Sequence, residues 1–292
     1  MHTLLTLEVD GARLLLAPDI GGAIAGWTRD GTPLMRPMLP DALTVREARS
    51  LSSYPLFPYS NRVAGRRFRF AGRTHELPDL MNGHAIHGAG WQVPWAAIQD
   101  GPTATIMLDH PAGPLWPFAF HAEQRFVLTR DALQCELLIE NRHDHAAPFG
   151  FGLHPYFPRG ADTTLTFSAS HVWHNGAADM IPTHRSIVPP AWDHAGGVPV
   201  GRVTLDHCFG GWGGRARLSY PDRHYALDIT ADPVFAHLVV YIPEGQDYLA
   251  VEPVSNMNDG LNRLDIESDH GVFVLAPGEQ KIADMRFSVT DL

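Results

Sequence analysis

Cysteine is scarce: Cys135 and Cys208 are the only two in 292 residues, too few for a disulfide framework. Positive charge is also in short supply, with 22 Lys and Arg against 32 Asp and Glu and a formal net charge of −10. Nucleic acid is therefore not expected as a partner, because phosphate binding calls for clustered cations. No run approaches the roughly 18 uncharged apolar residues that a membrane span needs. The first ten residues lack a basic stretch ahead of an apolar run and a small-residue cleavage site. No secretory signal is expected, and a reducing cytoplasm is the expected compartment. There is no G-x-G-x-x-G, no P-loop and no G-x-S-x-G, which leaves no nucleotide signature and no serine-hydrolase signature.

Long helical stripes are missing too. No segment of 12 or so residues repeats its apolar positions at helical spacing; residues 41–51 come nearest. What the chain has instead is turn chemistry, with 27 Gly and 24 Pro, both unfavourable inside helices. Between the turns run alternating segments: Thr3 to Val9 and Ala12 to Ala17 around Asp10-Gly11, Phe118 to Leu128 and Ala132 to Glu140 around residues 129–131, Arg215 to Tyr220 and Tyr225 to Ile229 around residues 221–224. Ala236 to Ile242, Tyr248 to Val251 and Lys281 to Val289 add more. Many strands at short spacing predict an all-β sandwich or barrel, and no linker or repeat divides residues 1–292, so a single domain is expected. The arginines at 66, 67, 69 and 73 alternate with Phe68 and Phe70 and read as the solvated face of a strand.

Polar residues interrupt this pattern in five places. They are Pro58-Tyr-Ser-Asn61-Arg62, Asn82-Gly-His-Ala-Ile-His87-Gly88, Gly150-Phe-Gly-Leu-His154-Pro-Tyr-Phe157, Asp206-His-Cys-Phe209 leading to Trp212, and Glu252-Pro-Val-Ser-Asn256. His154 lies between apolar neighbours, where an exposed histidine is unexpected. Glu252 ends an apolar run before a proline; it is either a strand-end residue facing solvent or a semi-buried base with a raised pKa. His143-Asp-His145 offers a competing metal-site reading, as in cupin-like enzymes. No carboxylate follows at ligand spacing, and a polar turn after Asn141 is the simpler account. A sugar's apolar face needs an aromatic platform, for which Trp91, Trp212, Tyr156 and Phe157 are candidates.

Taken in order, Asn61-Arg62 with Gly65-Arg-Arg-Phe68, His87-Gly88, His154-Pro-Tyr-Phe157, Asp206-x-x-Phe209 and Glu252 with Asn262 resemble the aldose 1-epimerase (galactose mutarotase) family over nearly the whole chain. The resemblance implies the family's large β-sandwich, or supersandwich, and interconversion of the α and β anomers of a free sugar. It implies no metal and no organic cofactor, with a small sugar as the partner of a monomer or weak homodimer. Glu252 would be the general base at the anomeric hydroxyl and His154 the general acid at the ring oxygen. Arg62, His87 and Asp206, with Asn61, Trp91 and Trp212 nearby, would hold the substrate. Activity would then fall below neutral pH as Glu252 protonates. A related branch acts on hexose 6-phosphates and follows its His-Gly with an arginine; Ala89-Gly-Trp-Gln92 has none, which implies an unphosphorylated aldose. The alternatives are a non-catalytic carbohydrate-binding sandwich and the metal-dependent, cupin-like sugar isomerase.

Overall fold

The computed structural model describes residues 4–292. Strands dominate, and the helical pieces are single turns. One large sheet runs in the spatial order Ala96–Asp100, Thr103–His110, Phe120–Thr129, Ala132–Asn141, Gln280–Asp291, Tyr225–Ala231, Arg215–Tyr220, Thr164–Phe167, Val198–Pro199. The second runs Pro182–Ser186, His171–Asn175, Leu205–Gly210, His237–Ile242, Tyr248–Val254, Gly152–Leu153, Pro55–Leu56, with Tyr156–Pro158 also paired to Tyr248–Val254. A smaller four-stranded sheet is built from residues 5–33. The all-β sandwich expected from the alternation is the fold observed.

The hairpins form where the turn residues predicted them. Leu5–Val9 pairs antiparallel with Ala12–Ala17, Phe120–Thr129 with Ala132–Asn141, and Arg215–Tyr220 with Tyr225–Ala231. Thr3, included in the first expected strand, lies outside the described residues. The arginine stripe behaves as a solvated face: Phe68 is buried while Arg67 and Arg69 are exposed. Residues 41–51 hold one short helix, Ala42–Val45, and a 3₁₀ turn, Ala48–Ser50.

Both large sheets contribute to one core. Phe126, Leu133, Cys135, Leu218 and Phe287 from the first meet Leu205, Phe209, Leu238, Val240, Leu249 and Val251 from the second. Successive residues of a strand point to opposite faces, so the intervening residues of the second sheet face away from this core. There Cys208, Val239, Ala250 and Val254 join Tyr54, Tyr156 and Trp173 in a second apolar layer. That outward face carries the site.

Candidate active site

The period of two places the acidic side chains. With Leu249 and Val251 committed to the sandwich core and Ala250 and Val254 to the outer layer, Glu252 has to project outward. The same parity sends Asp206 out beside Cys208, and Tyr241 out beside Val239. In register, Glu252 lies opposite Val239 and Asp206 opposite Tyr241. His154 follows the short strand Gly152–Leu153; its amide donates to the Tyr54 carbonyl at 3.0 Å. Its imidazole stacks on Tyr54, with ring centres 4.6 Å apart, and leans on Tyr156 at the same distance.

These residues wall a cavity of about 310 Å³, together with Asn61, Arg62, His87, Asp206, Tyr241 and Arg49. Met81, Ile86 and Val239 supply apolar wall. Three larger clefts, of about 470, 500 and 370 Å³, are lined around Glu8–Gly11, around Phe118 and His143, and around Phe167 and Asp228. None of the three brings a buried acid and a buried base together.

His154 Nε2 and Glu252 Oε1 are 3.2 Å apart, with the side chains only 8% and 3% exposed. His154 Nδ1 is buried without a hydrogen-bond partner, and Nε2 is the nitrogen that faces Glu252. Burial raises the Glu252 pKa well above the ordinary carboxylate value; nearby Asp206 pushes the same way and Arg62 opposes them. Burial lowers His154 to about 3, helped by the Arg36 cation. Asp206 is also raised by burial, against the pull of Arg62.

His87 is held in one protonation state by its backbone. Its amide donates to the Asn61 carbonyl at 2.9 Å, and the Asn61 amide donates to His87 Nδ1 at 3.1 Å. A nitrogen that accepts carries no proton, so the neutral ring bears its hydrogen on Nε2. Desolvation, His154, Arg62 and Arg49 together hold its pKa well below the usual histidine value. His87 is therefore a neutral hydrogen-bond donor. Its φ of +61° is unusual for a residue with a side chain. Gly88 beside it has no alternative: a Cβ there would lie 2.1 Å from the Phe57 carbonyl oxygen.

Arg62 is fixed by chain that follows the glutamate strand. Its amide donates to Asn61 Oδ1 at 2.9 Å and to Asn258 Oδ1 at 3.1 Å, and its carbonyl accepts from the Asp259 amide at 2.9 Å. One step earlier, Ser60 and Asn256 exchange amide–carboxamide hydrogen bonds in both directions, at 2.9 and 3.0 Å. Asn262 stands behind this loop, donating to Asp259 Oδ1 at 2.8 Å.

Seven of the residues singled out by sequence thus converge on the cavity: Asn61, Arg62, His87, His154, Tyr156, Asp206 and Glu252. The two tryptophans do not. Trp212 is buried in the sandwich core, its indole donating to the Arg215 carbonyl at 2.8 Å. Trp91 is in the outer layer, behind Tyr54 and under the Arg49 guanidinium. Phe157 faces the sandwich core, whereas Tyr156 lines the cavity. Tyr54, Tyr241 and Arg49 carried no motif. Tyr241 was findable from its alternation with Leu238, Val240 and Ile242; Arg49, on a 3₁₀ turn, was not.

His143, Asp144 and His145 do bring ligand-type atoms within 4.8 Å of one another, but on a turn where Asp144 and His145 are exposed. None of the three lines the cavity that holds Glu252.

The family model for aldose 1-epimerase matches residues 3–288. The chain belongs to the aldose 1-epimerase family. The uncharacterized protein YphB of Escherichia coli K12 is 30% identical over 297 residues, covering 98% of this chain and 99% of that protein. A crystal structure of a proposed aldose 1-epimerase from Escherichia coli K12 superposes with a TM-score of 0.90 at 29% identity, covering 99% of each chain. The galactose 1-epimerase of Lactobacillus acidophilus NCFM shares the fold, with a TM-score of 0.79 at 20% identity over 99% of this chain and 94% of that one.

Proposed function

We propose that this member of the family is a mutarotase acting on a free, unphosphorylated aldose. The observation that carries the reading is the buried His154–Glu252 contact on the wall of a cavity sized for one sugar ring. Binding alone would not repay the burial of a titratable pair with opposed pKa shifts; proton transfer uses both.

Glu252 takes the proton from the anomeric hydroxyl while His154 Nε2 delivers one to the ring oxygen. The C1–O5 bond breaks, and the aldehyde forms as the O1–H electrons move into the carbonyl. Rotation about C1–C2 presents the other carbonyl face. Closure returns the proton from Glu252 to O1 and from O5 to His154. Across the cycle the pair carries one proton in total, as carboxylate with imidazolium or as carboxylic acid with neutral imidazole. Their 3.2 Å contact lets a single hop exchange the two forms. Neutral His87 and cationic Arg62 face the oxygens where charge develops, and Asp206 accepts from sugar hydroxyls. Each catalytic group is worth roughly 10²–10⁴-fold.

Cys135 and Cys208 are both free and buried, and no described helix is long and apolar enough to cross a membrane. Anomer-exchange NMR on fresh aldoses, with Glu252→Gln and His154→Asn alongside, tests the reading. Acceleration over buffer that both substitutions abolish is the expected result. If no aldose is accelerated, the mutarotase reading fails; if Glu252→Gln stays fully active, the base assignment fails.

A further inference from the structure

No cation follows Gly88 in the sequence, yet the fold brings one to the cavity from elsewhere in the chain. Arg49, from a separate segment, lines the cavity with its guanidinium 5.1 Å from the Trp91 ring centre. A cation does stand near His87, brought there by the fold. What it offers a ligand depends on its partner. Glu47 holds Arg49 along one edge, accepting from Nε and from Nη2 at 3.0 Å each, and also accepts from the Arg49 amide at 3.2 Å. The pair is two-fifths exposed or less, and Glu47 lines a neighbouring cleft and not the cavity itself.

The other charges at the cavity are matched as well. Arg62 is close enough to Asp206 and Glu252 for its charge to oppose the burial that raises both of their pKa values. Arg36 is nearby but sealed off: it packs 3.8 Å over the Tyr156 ring and donates to the carbonyls of Arg49 and Leu51. Arg49 therefore already has a carboxylate of its own, and the charge of Arg62 is countered at longer range by Asp206. A substrate bearing a further negative charge would find no cation without an acidic neighbour and would lie near Glu47 and Asp206. Selectivity of this kind works by repulsion of the wrong ligand.

We propose that the Glu47–Arg49 pair sets the charge selectivity of the site: Glu47 cancels the charge of Arg49, so that the cavity takes uncharged aldoses and disfavours those bearing a phosphate or carboxylate. Arg49 remains a donor to a sugar hydroxyl. Without the Glu47 charge it becomes a free cation and an anchor for an anion. This inference rests on the mutarotase reading.

The test compares D-glucose and D-galactose with their 6-phosphates and uronic acids by anomer-exchange NMR. The quantity read is the ratio of kcat/KM for an anionic sugar to that for its neutral parent, which controls for folding within each variant. In the wild type the ratio is expected below about one-tenth, and Glu47→Gln is expected to raise it by about tenfold, the scale of one unscreened partial-surface charge contact. The double variant Glu47→Gln/Arg49→Met should return the ratio to the wild-type level, and added salt should shrink the gain in the single variant. A wild-type ratio at or above one, no change in Glu47→Gln, or a gain that persists in the double variant overturns the proposal while leaving the mutarotase reading intact. If no sugar of either kind is accelerated, the reading beneath it falls and the proposal with it.

Discussion

Two histidine–carboxylate contacts in this molecule look alike and behave oppositely. At the turn, His145 Nδ1 and Asp144 Oδ1 are 2.6 Å apart with side chains 78% and 76% exposed. In the cavity, His154 and Glu252 are farther apart, at 3.2 Å, and almost fully buried. The closer pair lowers the Asp144 pKa through a hydrogen bond from His145, as solvated pairs do. In the buried pair, desolvation, joined by the nearby Asp206, outweighs the pull of Arg62 and lifts the carboxyl instead. What separates a surface contact from a group able to exchange protons with a substrate is how little water reaches it.

The largest expected difference is in turnover. Glu252→Gln should cost about 10²–10⁴-fold in kcat, whereas Asp144→Asn should stay within about twofold, both read as initial rates of anomer exchange. A comparable loss in Asp144→Asn would break the comparison.

The pH profile should come next. The buried pair works with one shared proton, takes up a second only near the His154 pKa of about 3, and loses its last as pH rises through the raised pKa of Glu252. Activity should therefore persist as the pH is lowered to about 5 and decline on the alkaline side. This reverses the expectation from an isolated Glu252, in which activity falls below neutral. A loss of rate between about pH 7 and 5 would restore the simpler picture.

Stability should follow the same shift. Because folding raises the Glu252 pKa, its contribution is fully present below its unfolded value and is lost as pH rises through the folded one. Glu252→Gln has no proton to lose, so on the alkaline side it should be more stable than the wild type by about 1–3 kcal/mol, with the gap closing in acid. Denaturant melts at two pH values check this, and a variant less stable at both would show that Glu252 holds the fold together. Asp144 shifts the other way: its stabilisation exists above its unfolded pKa and fades as pH falls, and at an exposed turn the corresponding change in Asp144→Asn should barely register in the same melts.

The smallest effect is expected from chelation. Exhaustive EDTA treatment should leave anomer exchange unchanged, since the His143–His145 turn shares no lining with the cavity. A lost rate restored by zinc would join the two regions.

Much of this was legible in the chain. Hairpins at Asp10-Gly11 and residues 129–131 follow from turn chemistry, and the outward projection of Glu252 and Asp206 follows from alternation once a core face is assigned. The polar interruptions at Asn61-Arg62, His87 and His154 marked cavity residues because a buried polar group needs a reason to be there. The aromatic candidates were less readable. Trp91 and Trp212 were chosen for size, but bulk favours burial as strongly as it favours sugar stacking, and both are core residues here. Arg49 left no trace, because its place depends on tertiary packing over Trp91 and not on any local pattern.

The reciprocal bonds between Ser60 and Asn256 join residues 196 positions apart. Closing so long a loop costs entropy before any contact rewards it. The Arg62 side of the cavity is therefore completed only after the chain has been made as far as residues 256–262 and that segment has docked. Until then a nascent chain holds the pieces of a sugar site without the site, and competence arrives as one late event.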